Sequence, residues 1–118
     1  MLRRLGVEAV SLLAQGDYQE LANRFGYALA FGKGPAKSIR DDMEACLSES
    51  DPTSTLAMPI HPEITVKYFN ADKQFSLFAL VDCRLKLADG SGSIQVELVC
   101  SEKENERHVT LEQISRYA

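Results

Sequence analysis

Three cysteines, two histidines, four tyrosines and two groups of acids carry the chemistry open to this 118-residue chain. Cys46, Cys83 and Cys100 contain no CxxC spacing, and an odd count of that kind reads as free thiols in a reducing compartment. A zinc site around Cys83 and Cys100 would need two further ligands, and no histidine falls beside them. No metal and no cofactor is expected. His61 lies in a proline-flanked stretch and His108 near a hairpin end; neither has a nucleophile or carboxylate at a telling spacing, so both read as solvated loop residues. Gly32-Lys33-Gly34-Pro35 precedes a helical pattern but lacks the phosphate-cradling arrangement, and reads as a turn. The acids are grouped. Asp41, Asp42, Glu44, Glu49 and Asp51 form one cluster; Glu97, Glu102, Glu104 and Glu106 form another. Solvated surface is the ordinary account of such runs. The sharper account is an acidic face that meets a basic partner and steers its approach.

The whole chain supports that sign of charge. Its net charge is −4, which argues against nucleic acid, because phosphate binding needs a basic face. With 45% hydrophobic and 25% charged residues it has the composition of a globular domain, and its length suits a single one. No window approaches a membrane-spanning length. Met1-Leu2-Arg3-Arg4 resembles the basic start of a signal peptide, but Glu8 interrupts the apolar run and Gln15-Gly16-Asp17 is no cleavage site. The expectation is a cytoplasmic protein.

The elements that must hold these residues fall in a fixed order. Helical patterns come first (1–50), then a proline-rich connecting segment (51–63), then strands (64–118). Leu2, Leu5, Ala9, Leu12 and Leu13 recur at helical spacing, and Gly16 stops them. Asp17 opens a second helix with Glu20 three residues on, as a capping acid and its partner. Leu21, Ala22 and Phe25 form its buried stripe, and Gly26 ends it. Tyr27–Phe31 alternates large and small residues, which allows a short strand. Pro35 suits the first turn of a third helix carrying Ile39, Met43, Cys46 and Leu47.

Three hairpins follow. Across Phe75–Leu87 the odd positions are apolar, which marks a half-buried strand. Asp89-Gly90-Ser91-Gly92 is a hairpin signal, and closing it pairs Leu87 with Ile94, Leu85 with Val96 and Cys83 with Leu98. A turn at Ala71-Asp72 pairs Tyr68 with Phe75, Val66 with Leu77 and Ile64 with Ala79. A turn through Lys103–Glu106 pairs Cys100 with Val109 and Leu98 with Leu111. Ile114 then falls on the wrong face unless a bulge near Glu112-Gln113 restores it. On the inner face this leaves Tyr68, Cys83 and Cys100 as polar-capable groups, the cysteines as diagonal neighbours. On the outer face Arg84 stands opposite Glu97 as an exposed ion pair, beside an apolar patch of Phe78, Leu80 and Val99.

The order helix, Gly-Asp break, helix, short strand, helix and strand meander resembles the nuclear transport factor two-like fold, a cone-shaped, cystatin-like α+β domain. Leu13-Ala14-Gln15-Gly16-Asp17-Tyr18-Gln19-Glu20-Leu21 carries the likeness, with Phe25, Ile39 and the closing Ile114-Ser115-Arg116-Tyr117. The resemblance implies N-terminal helices packed on one face of a curved four-stranded antiparallel sheet. It also implies a choice among activities, since that fold serves enzymes, ligand binders and bacterial immunity proteins alike. Its isomerases hold a general base at the short strand, where Tyr27-Ala28-Leu29-Ala30-Phe31 has no acid. The expectation is therefore a non-enzymatic immunity protein that occludes a basic toxin, with no nucleic-acid or membrane partner. Its partner-binding candidates are Asp41, Asp42, Glu44, Phe78, Leu80, Arg84, Glu97, Val99, Glu102 and Glu104. The alternative is a small-molecule or isomerase/dehydratase-like pocket lined by Tyr18, Tyr27, Tyr68 or Tyr117. Homodimerisation through the outer sheet face is compatible with either.

Overall fold

Each helix forms where an apolar stripe at helical spacing meets a stop. The computed structural model describes residues 2–28, 30, 32, 34–49, 53, 55–68, 77–103 and 106–117, without the side chains of residues 77, 78, 102, 103 and 107. Helix α1 (Leu2–Gln15) buries Leu2, Gly6, Ala9, Val10 and Leu13, a stripe stepping by three and four residues. It ends where Gly16 takes φ +75°, a left-handed conformation that costs glycine no Cβ clash. The Gly16 and Asp17 N–H groups then donate back to the Leu13 and Leu12 carbonyls at 3.1 and 3.0 Å. Helix α2 (Tyr18–Phe25) starts at Asp17, whose Oδ1 accepts from the Glu20 N–H at 3.3 Å, as the capping pattern predicts. Helix α3 (Pro35–Leu47) has proline in its first turn, where a missing N–H leaves nothing unpaired, and buries Ser38, Ile39 and Met43.

Four strands complete the chain: β1 (Glu63–Tyr68), β2 (Leu77–Lys86), β3 (Ser93–Lys103) and β4 (Glu106–Tyr117). They form one antiparallel sheet in sequence order, an α+β arrangement. Helix α1 lies over β1 and β2, α3 lies over β4, and α2 packs against both helices. The core sits between the helices and one sheet face. Ala9, Val10, Leu21 and Ile39 from the helices, and Val81, Ile94, Val96, Leu98 and Leu111 from the strands, have no exposed surface. Each of the larger of these side chains contributes roughly 1.5–3 kcal/mol on leaving water. Close approach of α1 to the sheet depends on Gly6. A Cβ there would stand 2.9 Å from Cys83 Sγ and 3.1 Å from Val81 Cγ1.

The third hairpin forms as the sequence predicts. Leu98 pairs with Leu111 and Cys100 with Val109; the register then shifts, Glu112 faces no residue, and Ile114 comes opposite Val96, 5% exposed. The other two hairpins differ from expectation by whole steps of two residues. In β2–β3 Leu85 pairs with Ile94, Cys83 with Val96 and Val81 with Leu98. The turn is the cause. Leu87 N–H donates to the Gly92 carbonyl at 3.0 Å, Gly90 takes φ +75°, and Asp89 Oδ1 accepts from Ser91 N–H at 2.9 Å, so the loop closes one residue earlier on each side. In β1–β2 Ile64 pairs with Cys83 and Tyr68 with Ala79, four residues from the expected register. Its expected turn, Ala71-Asp72, lies outside the described residues. Both slips are even, so the side chains from Ala79 to Lys86 keep their faces; between Leu77 and Ala79 the pairing with β3 shifts by one further residue.

Two further expectations change. Cys83 and Cys100 are not diagonal neighbours, because Cys100 stands opposite Ala79, four residues along β2 from Cys83. Tyr27, Ala28 and Ala30 form a turn rather than a strand. Ala30 N–H bonds the Tyr27 carbonyl at 3.2 Å, and Ala28 N–H reaches β4 at Leu111 O, 3.0 Å. The positive φ of Gly26 (+65°) redirects the chain just before this turn; Leu29 and Phe31 lie outside the described residues. The connecting segment is pinned to the end of β2. Leu56 bridges to Leu87, Ala57 N–H bonds the Lys86 carbonyl and Ala88 N–H the Thr55 carbonyl, both at 2.9 Å. Among the described residues no helix is long and apolar enough to cross a membrane.

Candidate interaction surface on the outer sheet face

With the helices on one side of the sheet, the opposite face is left as a platform whose residues line up in rows. One row reads Lys67, Leu80, Val99, Thr110; the next Thr65, Asp82, Glu97, Gln113; the third Glu63, Arg84, Gln95, Ser115. The two-residue slip of β2 against β3 rewrites the expected chemistry of this face. Arg84 stands opposite Gln95, not Glu97, and Glu97 stands opposite Asp82. Two acidic residues therefore stand opposite each other across the strands.

Asp82 is supported. Its Oδ1 accepts from Gln95 Nε2 at 3.2 Å and its Oδ2 lies 3.7 Å from the Arg84 guanidinium. Arg84 is held in turn by the Tyr117 ring, whose centroid lies 4.1 Å from the guanidinium carbon, an arrangement worth ~0.5–1 kcal/mol at an exposed site. Glu97 is half-buried. Partial burial raises its pKa above the ordinary glutamate value, and the charges of Asp82 and Glu112 raise it further. Glu63, Thr65, Asp82 and Arg84 line a shallow cleft of about 280 Å³ beside this pair. The face thus sets the half-buried Glu97 opposite an acid already engaged by Arg84 and Gln95, next to the apolar pair Leu80 and Val99, with Lys67 and Lys86 exposed at its margins. Chemically it suits an ammonium or guanidinium group, which would neutralise facing carboxylates at a half-dry site.

The remaining candidate residues scatter. On α3, Asp42 turns inward and accepts a hydrogen bond from the buried Tyr27 hydroxyl, Asp41 lies 3.9 Å from Arg40 Nε, and Glu44 is exposed. They do not make one acidic face. Burial pushes the Tyr27 phenol well above its ordinary pKa, and the Asp42 carboxylate adds to the shift. Phe78 sits at a register shift in β2 and Glu102 pairs through its backbone with Arg107, but the side chains of both, and all of Glu104, lie outside the described residues. The four tyrosines share no cavity. Tyr18 is half-buried at the start of α2, Tyr27 is buried, Tyr68 is 68% exposed, and Tyr117 lies under Arg84 on the outer face.

The thiols are buried or half-buried, and burial pushes Cys83 up to about 12, so it stays protonated at neutral pH. His108 lies 3.7 Å from Glu106 at an exposed site, and His61 is exposed on the connecting segment. Among the described residues no three of His, Cys, Asp and Glu are placed to hold a metal ion. Sequence reasoning missed Asp82 and Gln95 as members of the surface. Strand parity already put Asp82 outward; the register that sets Glu97 against it was the missing signal. Comparison with models of protein families, with curated proteins and with solved structures finds no match for this chain.

Proposed function

We propose that this chain is a non-enzymatic, cytoplasmic protein-binding inhibitor of the nuclear transport factor two-like fold. In this reading it is a bacterial immunity protein that neutralises a cognate toxin by covering its basic active surface. The observation that carries the reading is Asp82 opposite Glu97 on a sheet face that the helices leave uncovered. A like-charge pair at a half-buried cross-strand site weakens the fold, and a cationic partner reverses the sign of that interaction. Leu80 and Val99 beside it supply apolar area that such a contact would remove from water. The net charge of −4 gives the long-range attraction for a basic domain.

The test mixes the purified chain with the toxin candidate encoded by the neighbouring gene and follows binding by calorimetry. A one-to-one complex is expected, weakened at least about tenfold by Glu97→Lys and by Leu80→Glu, since reversing a charge or burying an unpaired one at an interface costs upward of ~2 kcal/mol. Absence of a complex, or a complex indifferent to both substitutions, overturns the proposal. So does sedimentation of the chain alone as a dimer that Leu80→Glu splits, because the face would then be occupied by a second copy.

A further inference from the structure

A second concavity lies away from the sheet. Its walls are the end of α1, the start of α2, the last turns of α3 and the connecting segment, and no strand residue lines it. Its volume is about 300 Å³, room for about ten waters at ~30 Å³ each and the lower end of small-molecule sites. The inner wall is Leu13 and Met43, each 2% exposed, with half-buried Leu47 and Leu56 beside them. Met58, 68% exposed, marks the rim, and Tyr18 and Thr55 add hydroxyl-bearing side chains to the lining. The gap is a built feature. Gly16 turns the chain sharply between α1 and α2, and the backbone bonds of Thr55 and Ala57 to the end of β2 hold the connecting segment as the far wall.

The lining defines its occupant. A quarter of the chain is charged, yet among the described residues none that lines this cleft is. A charged ligand would lose its hydration against described walls that carry no charged side chain. An apolar one would displace water from leucine and methionine surface, and methionine adapts to irregular shapes. We propose that this cleft binds a small, uncharged, mainly apolar molecule, on the order of ten non-hydrogen atoms, with one hydrogen-bonding group left at the mouth. The site is independent of the outer sheet face, so either can fail alone.

Methyl-labelled methionine spectra of the full chain test this, with n-octanol as probe. The Met43 and Met58 methyls are expected to shift together along one saturable curve. Each methylene added from butanol to octanol should tighten binding about fourfold, the equivalent of ~0.8 kcal/mol. Octanoate and octylammonium should bind at least about tenfold more weakly than octanol. Ala14→Phe, which fills the cleft from α1, should abolish the Met43 response; should that variant fail to fold, Met58→Ala, at an exposed rim, should still weaken octanol severalfold. No saturable shift at Met43, equal binding of octanol and octanoate, or octanol binding untouched by Met58→Ala overturns the proposal.

Discussion

Replacing Gly6 with alanine sets two effects of similar size against each other, and the structure decides between them. In an exposed helix the change would stabilise the protein by ~0.8–1 kcal/mol through helix propensity. Here the new methyl would lie 2.9 Å from Cys83 Sγ, 3.1 Å from Val81 Cγ1 and 3.4 Å from Ile64 Cγ2. Ordinary contact is about 3.5–4.0 Å, so α1 must lift off the sheet or its neighbours must shift. Cys83 and Val81 are wholly buried and have little room to move. Overpacking of this kind costs ~1–3 kcal/mol. The net expectation is a loss of about 1 kcal/mol, or roughly 3–5 °C in Tm for a domain of this size. Urea unfolding of four proteins, wild type, Gly6→Ala, Cys83→Ala and the double variant, measures it. Cys83→Ala alone should cost about 1 kcal/mol as a small cavity. The pair should be more stable than the sum of the two losses by at least about 1 kcal/mol, because each change removes the other's defect. Gly6→Ala more stable than wild type, or two losses that add within ~0.3 kcal/mol, would refute the packing argument.

Two further outcomes follow from the polar groups. Glu97→Gln should stabilise the protein at pH 7 by about 0.5–1 kcal/mol, since it removes a like charge directly across from Asp82. The folded state holds the Glu97 proton more tightly than the unfolded chain, so its contribution falls as pH rises from the ordinary glutamate value through the raised one; the variant's stability curve should lack that fall. Tyr27→Phe should cost about 1.5–3 kcal/mol in urea unfolding, because it strips a half-buried carboxylate of its donor. The same variant should lose part of the decline in stability above about pH 10, where the unfolded chain releases a tyrosine proton that folded Tyr27 retains. An unchanged alkaline slope would contradict the burial of the Tyr27 hydroxyl against Asp42.

Faces were legible in the sequence; partners across strands were legible in one hairpin of three. The apolar alternation of β2 and β3 correctly sent Val81, Cys83, Leu85, Ile94, Val96 and Leu98 inward. It also located the bulge at Glu112, because Ile114 has to return to the core and only an extra residue brings it there. The helix limits were legible for a similar reason. Gly16, Asp17, Gly26 and Pro35 each act through local backbone geometry that no distant contact overrides. The β1–β2 and β2–β3 registers were not legible, because slips of two or four residues leave the inside and outside sets unchanged. What chose the β2–β3 register was local turn chemistry at Asp89, Gly90 and Ser91, one residue away from where symmetric pairing placed it.

That distinction bears on function. A core needs only the correct face, so it survives an error of register; a recognition surface is made of particular neighbours, so it does not. With Arg84 opposite Glu97 the outer face would be an ordinary neutralised sheet surface, worth well under ~1 kcal/mol and offering nothing to a partner. With Asp82 opposite Glu97, and Arg84 beside Asp82 and over Tyr117, the same residues leave Glu97 as a carboxylate whose charge the fold itself disfavours. Swapping the opposed residues separates the two cases. Gln95→Glu with Glu97→Gln moves the acid across from Arg84 without altering composition or net charge. It should stabilise the chain and abolish binding of a basic partner together, whereas a partner that reads only overall charge would bind as before.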